Sequence, residues 1–170
     1  MLASAGVFAE ELGPRVLDLY AGSGALGLEA ISRGARSAVL VESARPAITA
    51  IRENVRALDV GAQVTVVATR VERALDTVEG DFDLILVDPP YADVRERTFS
   101  DLMAKAARHL APAGVLVLEH ASTDDPAAPL GLVLDRRRRH GDTTLSLFLH
   151  PAHPAHPAHP AADTDDAAPE

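Results

Sequence analysis

Four short apolar runs, RVLDLY (15–20), AVLVE (38–42), VTVV (64–67) and FDLILV (82–87), are separated by stretches with helical spacing, and GVLVLE (114–119) follows in the same way. The runs are apolar throughout rather than at alternate positions, which is the pattern of strands covered on both faces. Strands alternating with helices imply a parallel sheet with helices on either side. In the first intervening segment Leu28 and Ile31 share a helical face and Gly34 ends it; in the second, Ile48, Ile51, Val55 and Leu58 recur after Pro46 until Gly61. VERALDTV (71–78) reads as a short helix, and Phe99, Leu102, Met103, Ala106 and Leu110 as a longer one stopped by Pro112 and Gly114. The ending differs, because LGLVLDRRRRH (130–140) and TTLSLFLH (143–150) flank Gly141-Asp142, the signature of an antiparallel hairpin. The expected fold is therefore α/β, a doubly wound, mostly parallel sheet ending in an antiparallel hairpin.

With 47% hydrophobic residues, 170 residues can fill the core of one domain, expected over residues 1–150. Residues 151–170, PAHPAHPAHPAADTDDAAPE, are a low-complexity tail with proline at every third position of its repeat, expected to be extended and disordered rather than a metal site built on His153, His156 and His159. No metal is expected. The chain lacks cysteine, a basic leader and any apolar run of membrane-spanning length, so a soluble cytoplasmic protein without a membrane partner is expected.

Chemistry concentrates at strand ends. GSGALG (22–27) follows a strand and opens a helix, matching G-x-G-x-x-G, and Glu42 ends the next strand at the distance suited to a ribose hydroxyl. Taken alone, the glycines fit any adenosine cofactor, or no more than a tight turn. Asp18 discriminates, for a carboxylate beside that turn would repel a pyrophosphate and attract an ammonium. S-adenosylmethionine carries an amine, a sulfonium and a free ribose, and no phosphate. The alternative for Asp18 is a carboxylate satisfying free backbone donors at the start of the helix.

The second strand end is LILVDPPYAD (84–93). Two prolines remove two backbone donors and fix two φ angles, so the chain is expected to leave the sheet in a stiff, extended turn that holds Asp88 and Tyr91 in place. An exocyclic amine on a base is a poor nucleophile because its lone pair is delocalised into the ring. A carboxylate at Asp88 and the Pro89 carbonyl could orient such an amine and localise the lone pair. Tyr91 offers a flat face for stacking, worth about 1–3 kcal/mol. The alternative is a capped turn with a surface tyrosine.

DLYAGSGALGLEAISRGA, the following VE, LILVDPPY, GVLVLEH and RHGDTTLSLF together resemble the RsmD-type 16S ribosomal RNA guanine-N2 methyltransferases over residues 15–149. The resemblance implies a Rossmann-like class I methyltransferase fold, with S-adenosylmethionine held by Asp18, Ala21, Gly22, Gly24 and Glu42 and the target guanine by Asp88 and Tyr91. Ribosomal RNA or the small ribosomal subunit is the implied partner. Family members usually begin with a basic arm and an Arg-rich segment; this sequence opens at MLASAGVFAE, which looks like the tail of that segment, so the expectation is either that the arm lies upstream of this start or that part of the binding surface has been lost. They also often carry an acid after the third strand, where this chain has Thr69-Arg70, so an adenine contact would fall to backbone at Val71.

Charge is a mixed witness. The net charge is −9, against a generally basic nucleic-acid binder, yet Arg136, Arg137, Arg138 and Arg139 form a dense block expected to contact RNA phosphates, the alternative being a solvated strand edge. Three readings remain open at this point: guanine N2-methylation of 16S ribosomal RNA, methylation of another planar amine such as adenine N6, and a cofactor-binding remnant without RNA activity.

Overall fold

The computed structural model describes residues 13–153. The expected character of residues 1–12 and 154–170, His156 and His159 included, lies outside the described residues. The elements are β1 (Arg15–Leu19), α1 (Ala25–Ser32), β2 (Ser37–Glu42), α2 (Arg45–Ala57), β3 (Val64–Ala68), α3 (Val71–Ala74), β4 (Phe82–Val87), α4 (Tyr91–Val94), α5 (Arg97–Ala107), β5 (Leu110–Ala121), β6 (Val133–His140) and β7 (Thr143–Leu149). They build one seven-stranded sheet in the order β3-β2-β1-β4-β5-β7-β6. The first five strands pair in parallel; β7 joins β5, and β6 joins β7, antiparallel. The sequence-derived architecture is the observed one.

Two apolar layers show why the strands read as continuously hydrophobic. Leu17, Leu19, Ile85, Val87, Leu116 and Leu118 pack against α3 and α5, whereas Val16, Leu40, Leu84, Leu86, Val115 and Val117 pack on the other face with α1 and α2. Successive strand residues alternate between these layers, and both are buried. Among the described residues no helix is long and apolar enough to cross a membrane, and no group of histidine, cysteine or acidic residues is arranged to hold a metal ion. His153 is buried and its Nε2 donates to the Ala113 carbonyl at 2.9 Å.

Three local expectations are corrected. Helix α5 ends at Ala107, so Leu110 opens β5 instead of closing the helix; the Phe82 N–H is bonded to His109 O at 2.8 Å, and pairing with β4 outweighs helical periodicity there. Pro112 and Gly114 lie in an irregularity of β5, where Phe82 faces Leu110 and Leu84 faces Val115. Leu58 does not join the buried face of α2: it sits at the helix end, 58% exposed. The proline turn is also not extended throughout, since Pro90 (φ −52°, ψ 133°) leads straight into the helical turn α4. Proline is tolerated there because the first residues of a helix have no intrahelical acceptor for their N–H groups.

The third glycine of the G-x-G-x-x-G turn sets the distance between α1 and the sheet. A Cβ at Gly27 would lie 2.2 Å from Leu40 Cδ2 and 3.0 Å from Asp18 Oδ2. Gly27→Ala is expected to lower stability by about 1–3 kcal/mol through overpacking, read as a lower urea midpoint at unchanged slope. An unaltered midpoint would show that Leu40 moves aside freely.

Candidate functional site

The carboxyl ends of β1 and β4 lie side by side, Leu19 level with Val87, and the chain leaves them in opposite directions along the sheet. Open α/β sheets bind ligands in the crevice such a reversal creates. After β1 the backbone turns sharply: Tyr20 takes φ 63°, a left-handed conformation costing a non-glycine residue about 1–2 kcal/mol, and Gly24 (φ 83°) caps α1. The Tyr20 hydroxyl is pushed up to about 12 by burial and then by the charges of Glu72, Asp93 and Glu96, so it stays neutral.

The glycine turn is fastened from the neighbouring strand. Ala21 N–H donates to Val41 O at 3.0 Å, and Gly22 N–H to Glu42 Oε2 at 2.9 Å. Glu42 Oε1 accepts from Ser43 and Ala44 at 2.7 and 2.8 Å, so Oε2 keeps lone-pair capacity for one further donor. Asn54 of α2 adds a clamp, its Nδ2 donating to Ser23 O at 3.0 Å. At Gly22 a Cβ would meet nothing within 4 Å, so the turn faces open space.

Asp18 lies beneath the turn, 1% exposed. Its Oδ2 accepts from Gly27 N–H at 2.9 Å, which is the helix-start contact weighed above. Its Oδ1 is buried without a hydrogen-bond partner among the described residues. Burial pushes the carboxyl up to about 7; the Gly27 N–H acts against this, and the charges of Asp88 and Glu42 add to it. A buried oxygen with no donor is the feature a cationic ligand group would relieve.

After β4, Asp88 is open to solvent on one side, and partial burial raises its carboxyl above the usual range. Pro89 is buried, and Tyr91 is 42% exposed. The Tyr91 hydroxyl pairs with Thr143 Oγ1 at 2.8 Å, so the hairpin holds one end of the ring. Val71 opens α3 with its side chain 4% exposed, leaving only backbone to meet a ligand. Asp18, Ala21, Gly22, Gly24, Glu42, Asp88, Pro89, Tyr91 and Val71 thus all lie at the carboxyl edge of the parallel strands.

The arginine block lies apart, on the edge strand β6. Arg137 is committed within the chain: Nε donates to Ser146 Oγ at 3.1 Å, Nη2 to Pro126 O at 2.8 Å, and Nη1 pairs with Asp125. Arg136 pairs with Asp135 at 2.7 Å and Arg139 donates to Gly141 O at 3.1 Å. All four arginines are exposed, Arg137 included.

Sequence reasoning missed Asn54, Thr143 and Glu119. The first two become visible only when α2 and the hairpin fold back on the turns. Glu119 had a signal: GVLVLE repeats the pattern of RVLD, AVLVE and LILVD, an apolar strand ending on an acid.

The family model described as "Conserved hypothetical protein 95" matches residues 7–149. A Bacillus subtilis protein provisionally named the rRNA methyltransferase YlbH is 32% identical over 140 residues, 80% of this chain and 76% of its own. Ribosomal RNA small subunit methyltransferase D of Buchnera aphidicola is 37% identical over 78 residues, 45% of this chain and 40% of that one. Among solved structures, a Streptococcus pyogenes conserved hypothetical protein superposes with a TM-score of 0.75 at 33% identity, covering 82% of this chain and 88% of the other.

Asp18 has a measurable consequence for the free protein. Its folded pKa, about 7, lies above the ordinary 3.8, so between these values the native state binds a proton that the unfolded chain has released. Stability is therefore expected to fall as pH rises through this window and to level off above it. Asp18→Asn is expected to remove most of that slope and to equal or exceed the wild type in stability at pH 8. Urea titrations from pH 4.5 to 8.5 check this; a wild-type profile rising across the window would refute it.

Proposed function

Because the chain belongs to the RsmD-type family, whose model carries the description "Conserved hypothetical protein 95", we propose that it transfers the methyl group of S-adenosylmethionine to the exocyclic N2 amine of a guanine in small-subunit ribosomal RNA. The observation that carries this reading is the placement of the glycine turn and the Asp88–Tyr91 turn at the ends of adjacent strands, Leu19 beside Val87. The residues fit the cofactor on three counts: the unpartnered Asp18 Oδ1, the open space at Gly22, and the remaining acceptor capacity of Glu42 Oε2. Asp18 would lie toward the ammonium, Ala21, Gly22 and Gly24 would shape the turn around the ligand, Glu42 would accept one ribose hydroxyl, and Val71 would offer backbone to the adenine. When bound, S-adenosylmethionine supplies an electrophilic sulfonium methyl. No pyrophosphate would be tolerated above Asp18, which argues against a dinucleotide.

Asp88 accepts an N–H of the target amine, and the Pro89 carbonyl is a second acceptor nearby. Together they turn the nitrogen lone pair out of conjugation and toward the methyl group. The raised Asp88 carboxyl is suited to take up the proton that the methylated nitrogen releases. Tyr91, held by Thr143, gives the base a fixed wall. RNA phosphates would meet the exposed Arg136, Arg138 and Arg139, whereas Arg137 is occupied by protein partners.

Incubation with S-adenosylmethionine and small subunits from a strain lacking the gene is expected to produce N2-methylguanosine in 16S RNA, detected by nucleoside mass spectrometry. N6-methyladenosine in its place would support the adenine reading, and no product with intact cofactor binding a remnant. Asp88→Ala is expected to lower turnover by about 10²–10³ with cofactor affinity retained; full turnover would leave Asp88 a turn residue. Replacing Arg136 and Arg138 together is expected to flatten the slope of log K against log salt for RNA by about two units. An unchanged slope would make this strand edge a solvated surface.

A further inference from the structure

The apolar run GVLVLE reaches Glu119 near the carboxyl end of β5. The pairing of Val87 with Leu118 puts Asp88 and Glu119 at equal height on neighbouring strands, which lie about 4.8 Å apart. Leu84 and Leu86 of β4 share one core layer with Val115 and Val117 of β5, so with a period of two Asp88 and Glu119 continue that same face. Burial raises the Glu119 carboxyl, and the charge of Asp88 raises it further, as expected of carboxylates facing one another. On its other side Glu119 is opposite Leu145 in β7, and Thr143, two residues away on that strand, bonds the Tyr91 hydroxyl. The Asp18 side chain, with its unpartnered buried Oδ1, lies on this face too, level with Leu86. Glu119 has no hydrogen-bond or salt-bridge partner of its own among the described residues.

We infer that Glu119 is a specificity-determining residue, accepting N1–H of the target guanine while Asp88 accepts from the N2 amine. This rests on the function proposed above. The chemistry is a matter of donors. Guanine presents N1–H next to its exocyclic amine, two adjacent donors that one carboxylate can span, and the amine keeps a second N–H for another acceptor. Adenine presents an amine next to a bare ring nitrogen whose lone pair would oppose the carboxylate. A site built to bond a particular N–H rejects the analogue that lacks it, because its own polar group is left unpaired.

The test uses small subunits reconstituted with 16S RNA in which the modified guanosine is replaced by 2-aminopurine riboside, a base with the same 2-amino group but an unprotonated N1. The wild type is expected to favour guanosine by at least about 10²-fold in kcat/KM. Glu119→Gln is expected to narrow that preference to within about tenfold, because an amide can turn its N–H toward the bare N1, with cofactor affinity unchanged. Equal losses on both substrates in the variant, or no preference in the wild type, would overturn the role of Glu119 while leaving the methyltransferase reading intact. Failure of the wild type to methylate guanosine at N2 in unmodified subunits would overturn both.

Discussion

The pairing of β1 with β4 is the constraint on which the rest depends. Four consecutive register pairs, Val16 with Leu84 through Leu19 with Val87, hold together two strands far apart in sequence. The chain departs from β1 toward β2 and from β4 toward β5, so no connection covers the space between them. The crevice is a product of topology, and it needs no cavity in the hydrophobic core. Both chemical motifs reach it because each follows one of these two strands.

The same edge concentrates features that cost stability. Asp18 is buried with one oxygen unpaired, Tyr20 is in the left-handed region, and the acids Asp18, Glu42, Asp88 and Glu119 all lie at or near the carboxyl ends of strands there. Each is tolerable only because the surroundings over-determine it. The turn is bonded to β2 through Ala21 and Gly22 and to α2 through Asn54, while the layers on both faces are buried apolar side chains. A folded state with these strains retained is better suited to a ligand that brings positive charge than to none.

The hairpin serves the site from the far side of β5. It closes the sheet with a polar chain running from the surface inward, in which the exposed Arg137 donates through Nε to the buried Ser146 Oγ, whose hydroxyl donates to the buried His120 Nε2 at 2.8 Å, while His120 Nδ1 donates to Ala121 O at 2.9 Å. Every polar group in this chain finds a partner, as a buried network requires. The network joins β5, β6 and β7, so Arg137 ties the arginine block to the interior of the hairpin although all four arginines are exposed.

Much of this was legible in the sequence. Continuous apolar runs, helical periodicities and the Gly141-Asp142 turn determined the elements and the fold class, because strand and helix patterns are local and the two-sided burial of parallel strands leaves no alternation to misread. The glycine turn, Asp18, Glu42 and the Asp88–Tyr91 turn were legible as well, since each is a short motif tied to a strand end. What the tertiary structure decided depends on contacts between distant segments. It ended α5 at Ala107 by pairing Leu110 with Phe82, left Leu58 in solvent, and gave Arg137 protein partners. It also put one oxygen of Asp18 on Gly27, Tyr91 against Thr143, and Glu119 beside Asp88. A carboxylate or hydroxyl carries no sign in the sequence of which distant strand will lie within 3–5 Å of it, about the reach of a hydrogen bond or the spacing of neighbouring strands, and only the register of the sheet sets that distance.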